Sequence, residues 1–232
     1  MMPSPSELIY IPYDVAREHI LDADIVLYRG KRLLSRAIRI GSRSEYSHSG
    51  MAGWSNSGPY RRLFYYEMLR SGGQGTHLRA HAEKQPGMLD VYHVQDLHVE
   101  YEWNVKQKQV LGTVKTLNRQ QAVAIMQSFC RPGEYGFMHL LMNVVTHLPF
   151  IRWFTQPSSD DALEDRTRPP TCSEADVYAL KVAFTDAVKN TQDMYTQPGD
   201  LARSPLLHYK FTLIEPTVSM EEMACHCDTP TS

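Results

Sequence analysis

The stretch Thr171-Cys172-Ser173-Glu174, entered through Pro169-Pro170, places a thiol among residues that start a helix. Threonine at the N-cap with glutamate three residues later is a capping box, and the preceding proline keeps the upstream chain out of helix. Cys172 then takes the first helical position, where unpaired backbone N–H groups and the positive end of the helix dipole favour an anion. A thiol so placed falls below its free pKa of about 8.5 and becomes a nucleophile near neutral pH. The plainer reading is a capped helix whose cysteine only packs, and the stretch taken alone favours it.

A nucleophile needs a base, and the base needs a group that orients it. Of the ten histidines, His48 in "SEYSHSGMAGW" lies in a short strand between small residues, where a helix end packed across it can reach the ring. His77, His81, His93 and His98 lack that framing. Glu67, the acid in the apolar-aromatic strand "LFYYEML", is placed to accept the imidazole N–H on a neighbouring strand, or else decorates a strand edge. Tyr135 in "CRPGEYGFMHLL" brings a phenol, or simply a core aromatic.

Cys225, His226 and Cys227 are adjacent in a polar C-terminal stretch, with no Cys-x2-Cys spacing and no complementary pair nearby. No metal site is expected there, and the chemistry calls for no metal or organic cofactor. "YRGKRLLSRAIRIGSRSE" carries six Lys/Arg residues and reads as a solvated helix face that can steer a substrate.

These side chains need a scaffold. The sequence has 232 residues, 42% hydrophobic and 22% charged, enough for one domain with a buried core. Net charge of −2 gives no basic footprint for nucleic acid. Four cysteines do not make a disulfide framework, no signal peptide is readable, and no apolar run is long enough to span a membrane, so a cytoplasmic location is expected.

The first half reads as a short helix at 14–22, a strand "DIVLYRG", a helix over 31–42 stopped by Gly41, and strands "YSHSGMAGW", "RRLFYYEML" and "MLDVYHV". The second half is expected to hold helices over "NRQQAVAIMQSFC", 137–147 and from Cys172 to about 188, then a strand "HYKFTLIE". The whole of 1–232 reads as a single α+β domain with a core of about 14–215, an exposed loop at 156–170 and a flexible tail at 219–232.

The order "ADIVLYRG", "YSHSG", "YYEM…GGQG", "RPGEYGF", "TCSEADVYA", "QPGDLARS" resembles the YiiX/YebB-type hydrolases over roughly residues 22 to 205. These are circularly permuted, NlpC-like members of the papain-like cysteine hydrolase superfamily. The resemblance implies an antiparallel sheet or barrel packed against helices, with the nucleophile at a helix N-terminus. It also implies Cys172 as nucleophile, His48 as general base, Glu67 as the residue orienting it and Tyr135 on the oxyanion. "QPGDLARS" is expected to be a turn leading into a strand. Departures are Ala23-Asp24 where the family has Gly-Asp, and Ala175-Asp176 where two apolar residues are common; Asp176, one turn beyond Cys172, would oppose a thiolate if it faced the site.

The expected activity is that of a cysteine hydrolase or amidase acting on an amide, peptide or acyl bond through a thioacyl-enzyme. Its alternatives are a lipid acyltransferase or lipase-like hydrolase on the same residues, with an acyl groove from 137–154, and a degenerate module for binding or phage assembly. The expected partner is a peptide, amide or acyl-lipid substrate.

Overall fold

The computed structural model describes residues 7–31, 33–55, 60–69, 72–104, 109–130, 170–188 and 196–214. Tyr135, the helix expected at 137–147, nearly all of the loop at 156–170, the Cys225–Cys227 group and the tail at 219–232 lie outside them. In chain order the elements are β1 (Tyr10–Pro12), α1 (Tyr13–Ala16) with a 3-10 turn (Arg17–His19), β2 (Ile25–Tyr28), α2 (Leu33–Ser42), β3 (His48–Ser55), β4 (Arg62–Leu69), β5 (Gly72–His77), α3 (Leu78–Lys84), β6 (Leu89–Val94), β7 (Leu97–Asn104), β8 (Gln109–Thr116), α4 (Arg119–Phe129), α5 (Cys172–Ala183), α6 (Pro198–Arg203) and β9 (Leu207–Ile214).

Seven strands form one sheet in the order β1-β9-β6-β2-β3-β4-β5, and β7-β8 form a separate hairpin. The α+β reading holds. The pairings are antiparallel as expected, apart from β1, which joins β9 in parallel. Strand periodicity sends alternate side chains to opposite faces, and each face has its own core. Met51, Tyr66 and Met68 pack on one side with Met126 of α4, Leu180 of α5 and Leu201 of α6. Ala52, Leu63 and Tyr65 pack on the other with Ala16 of α1 and with Leu78 and Ala82 of α3. Each fully buried Leu or Met contributes about 1.5–3 kcal/mol, so both faces hold the sheet.

α5 is buried almost all round: Cys172 through Val177, Ala179, Leu180 and Ala183 are all covered. It ends at Ala183 rather than near 188. The Ala183 carbonyl accepts the Asn118 N–H at 3.0 Å, Phe184 leaves helical geometry, and Asp186 accepts the Val188 N–H at 2.9 Å in a local turn. Phe184, Ala187 and Val188 are buried, so their spacing imitates a helix that the backbone does not continue.

Two further expectations change, at the end of α2 and at "QPGDLARS". α2 runs one residue past Gly41, and Arg43 with φ 47° supplies the left-handed turn after it. "GGQG" is the body of β5, where a Cβ on Gly73 would stand 2.1 Å from the Phe129 carbonyl oxygen; glycine lets the end of α4 lie against the strand. "QPGDLARS" forms α6, capped by Asp200, whose carboxylate accepts the Gln197 N–H at 2.9 Å, rather than a turn. Among the described residues no helix is long and apolar enough to cross a membrane.

Candidate active site

His48 opens β3, and its register partner on β2 is Tyr28. It shares strand parity with Ala52, on the α3 side of the sheet, whereas Ser49 shares the parity of Met51 and faces α5. The helix that carries Cys172 begins at this strand end. The site therefore wraps around the end of β3 and draws on both sheet faces.

The Glu174 half of the expected capping box is made, its carboxylate accepting the Thr171 N–H at 3.2 Å, while Thr171 Oγ1 has no partner among the described residues. Ser173 Oγ donates to the Thr196 carbonyl at 2.6 Å and pins the first turn to the chain ahead of α6. Cys172 is only 3% exposed. The His48 ring and the backbone N–H groups of Ser49 and Ser173 all act on its sulfur in favour of the thiolate.

His48 Nε2 lies 2.7 Å from Glu67 Oε2. Gly50 and Glu67 are direct register partners, which puts Glu67 diagonally across from His48 on the same face. The other carboxylate oxygen, Oε1, lies 3.0 Å from His81 Nε2 and accepts from Gln74 Nε2 at 3.2 Å. Tyr65 stands edge-on to both imidazoles, with ring centroids 6.4 Å from His48 and 5.1 Å from His81.

The electrostatics follow from this enclosure. Burial alone would raise the Cys172 thiol, but the charged His48 ring, its hydrogen bond and the two backbone donors bring it below the ordinary thiol value. Burial opposes charge on His48, yet the Cys172 thiolate and Glu67 outweigh it and raise the ring to about 10. Burial likewise opposes Glu67, and the bonds from His48 and His81 overcome it, lowering the carboxyl to about 2. Cys130, without such partners, is pushed up to about 11 by burial. The arrangement is that of a thiolate–imidazolium pair backed by a carboxylate.

Asp176 does face this region. It is fully buried, accepts from Ser49 Oγ at 2.6 Å through Oδ2, and its Oδ1 has no partner among the described residues. Burial lifts its carboxyl well above the usual range, opposed by the Ser49 bond and reinforced by the thiolate. A carboxyl raised in this way sets less negative charge against the thiolate.

The sequence-derived residues Cys172, His48 and Glu67 thus come together, while Tyr135 lies outside the described residues. Sequence reasoning passed over His81. The signal was present, because His81 lies three residues after Leu78 and next to Ala82, the buried face of α3, but a helix of seven residues carries too little periodicity to stand out. Gln74, the register partner of Glu67, was hidden in a glycine-rich stretch.

Among the described residues no group of three or more His, Cys, Asp or Glu is arranged to hold a metal ion. No protein-family model matches the chain, and neither does any curated protein. Among solved structures the chain is similar to one titled "Crystal structure of metalloprotein yiiX from Escherichia coli O157:H7, DUF1105", at 18% identity and a TM-score of 0.47, over 83% of this chain and 97% of that one.

Proposed function

We propose that the protein is a cysteine hydrolase that cleaves an amide, peptide or acyl bond, in the permuted papain-like arrangement of the YiiX/YebB type. The carrying observation is the buried Cys172 at the start of α5, its thiol lowered by a His48 ring that Glu67 holds at 2.7 Å. The chain order His48, Glu67, Cys172 fits a permuted domain in which base and orienting residue precede the nucleophile.

With Nε2 held by Glu67, Nδ1 is the nitrogen available to the thiol. The thiolate attacks the substrate carbonyl carbon, and the carbonyl π electrons move onto oxygen. Backbone N–H groups at the helix start, Ser173 foremost, are placed to receive that oxyanion as charge leaves the sulfur. Imidazolium then gives its proton to the departing amine or alkoxide, leaving a thioester. His48, now neutral, takes a proton from water, or from an acceptor alcohol or amine, whose attack releases the acyl group and restores the thiolate.

Peptide and fatty-acyl substrates share these steps. A panel of activity-based acyl probes bearing peptide or lipid recognition groups separates them. Labelling that maps to Cys172 and is lost in His48→Ala supports the proposal, and the preferred probe names the substrate class. Labelling of other residues only, or equal labelling in His48→Ala, contradicts it.

A further inference from the structure

The crossover from β2 to β3 collects cations. Lys31, Arg36, Arg39 and Arg43 line a groove of about 650 Å³ together with Ile40, Ser44 and Glu45. Among the described residues Lys31, Arg36 and Arg43 make no ion pair, whereas Arg29, Arg79, Arg119 and Arg203 each do. The chain as a whole carries a net charge of −2, so four cations facing one carboxylate is a local concentration. Arg36 and Arg39 also lie three residues apart on α2, where like charges repel. Across the groove Lys31, Arg36 and Arg43 face Glu45 as the one lining carboxylate among the described residues.

The groove is tied to the nucleophilic site by chain geometry. Tyr28, the register partner of His48, is followed three residues later by Lys31, and Arg43, Ser44 and Glu45 run directly into His48. Gly30 N–H donates to Ser47 Oγ at 3.0 Å, Ser47 Oγ donates to the Tyr28 carbonyl at 3.3 Å, and Arg39 Nη1 donates to the Gly30 carbonyl at 3.4 Å. Both ends of α2 are therefore fastened where β3 starts. Ser44 forms part of the floor against Gly199 of α6, where a Cβ would approach within 2.4 Å. Ile40, 76% exposed, adds an apolar wall beside the cations.

We propose that this groove binds a phosphate group carried by the substrate on which Cys172 acts, an inference that rests on the nucleophilic reading of Cys172. Phosphate fits better than carboxylate because several guanidinium forks can share its oxygens, and a single carboxylate would leave most of Lys31, Arg36 and Arg43 uncompensated. A groove of this volume suits a small ligand or a headgroup. Ile40 would lie along the carbon skeleton next to the phosphate.

The test uses two matched electrophiles, chloroacetamide and its N-(2-phosphonooxyethyl) derivative, with alkylation of Cys172 mapped by mass. At low salt the phosphorylated reagent should react at least about tenfold faster than the neutral one, with saturation, and the ratio should fall as salt screens the groove. In Arg36→Gln/Arg43→Gln the ratio should drop to about unity, while Lys115→Gln, a cation of the β7-β8 hairpin, should keep it. Equal rates for the two reagents in the unaltered protein overturn the proposal. If neutral chloroacetamide fails to label Cys172, the nucleophilic reading has failed, and the groove is judged by calorimetric titration instead. Saturable binding of glycerol 3-phosphate, lost in the double variant, identifies a soluble phosphate ester. Sedimentation with phosphatidylcholine vesicles only when they contain phosphatidylglycerol identifies a lipid headgroup. Binding of neither overturns the groove as a phosphate site.

Discussion

Glu67 Oε2 lies 2.7 Å from His48 Nε2, and Glu67 itself is only 2% exposed. A buried carboxylate in that position keeps the imidazole oriented and supports its charge. Glu67→Gln keeps the shape and loses the charge. The rate of Cys172 acylation at neutral pH should fall roughly ten- to a thousand-fold, about 1.4 to 4 kcal/mol of barrier. Stability should fall as well. A carboxyl lowered to about 2 contributes stability that is fully present above its unfolded value and is lost as pH falls through about 2. Melting curves of the two proteins should therefore differ at neutral pH and converge in acid. Equal acylation rates would assign the orienting role to another residue.

His81 shares Glu67 with His48, at 3.0 Å from the other carboxylate oxygen, and also reaches Thr76 Oγ1 at 2.8 Å. It acts through Glu67 and is a positioning residue. His81→Ala should leave substrate KM nearly unchanged, lower kcat roughly tenfold, and shift the alkaline limb of the rate profile downward as His48 loses part of its support. His81→Gln, which can still donate to Glu67, should recover most of that loss. A defect confined to melting, with an unmoved pH profile, would give His81 a packing role only.

Asp176 makes no direct ion pair among the described residues, and its hydrogen-bond partner is Ser49 Oγ at 2.6 Å. Its folded carboxyl is raised above the unfolded value, so its contribution is unfavourable and grows as pH rises from about 4. Asp176→Asn can still accept from Ser49 Oγ and carries no such cost. The variant should melt higher than the unaltered protein at neutral pH, and the gap should close toward about pH 4. A lower melting point at every pH would show instead that Asp176 is stabilising as it stands.

Gly50 lies where the chain allows no side chain. A Cβ there would approach the Tyr66 carbonyl oxygen to 2.5 Å and the Tyr65 ring to 2.6 Å. Gly50→Ala should cost about 1–3 kcal/mol through overpacking. Because Tyr65 braces both histidines, it should also slow Cys172 alkylation. Unchanged denaturant midpoint would mean that the two tyrosines move aside freely.

Sequence revealed most where chemistry and local conformation coincide. The capping box at Thr171 and Glu174 depends on four adjacent residues, so the start of α5 and the placement of Cys172 were legible. His48 and Glu67 could be paired because both lie in strands of consecutive hairpin partners. The β7-β8 hairpin was missed although "LHVEYEWN" alternates as a strand should; Leu97, Tyr101, Val110 and Val114 are exposed on it, so it joins neither core. The parallel pairing of β1 with β9 joins residues about two hundred apart, and three residues of β1 carry no periodicity of their own. Spacing left open whether Asp176 faces the site, and its raised carboxyl depends on burial from all sides, which spacing does not report.

The most direct test is the pH dependence of Cys172 alkylation by iodoacetamide, read by peptide mass so that Cys130, Cys225 and Cys227 are counted separately. A thiolate already paired with the His48 imidazolium should react at a nearly constant rate from about pH 6 to about pH 9 and faster than Cys130 throughout. His48→Ala should abolish that plateau and restore a rate that climbs with pH through the ordinary thiol range near about 8.5. A Cys172 rate that climbs in the same way in the unaltered protein, or that is the same in His48→Ala, would contradict the account.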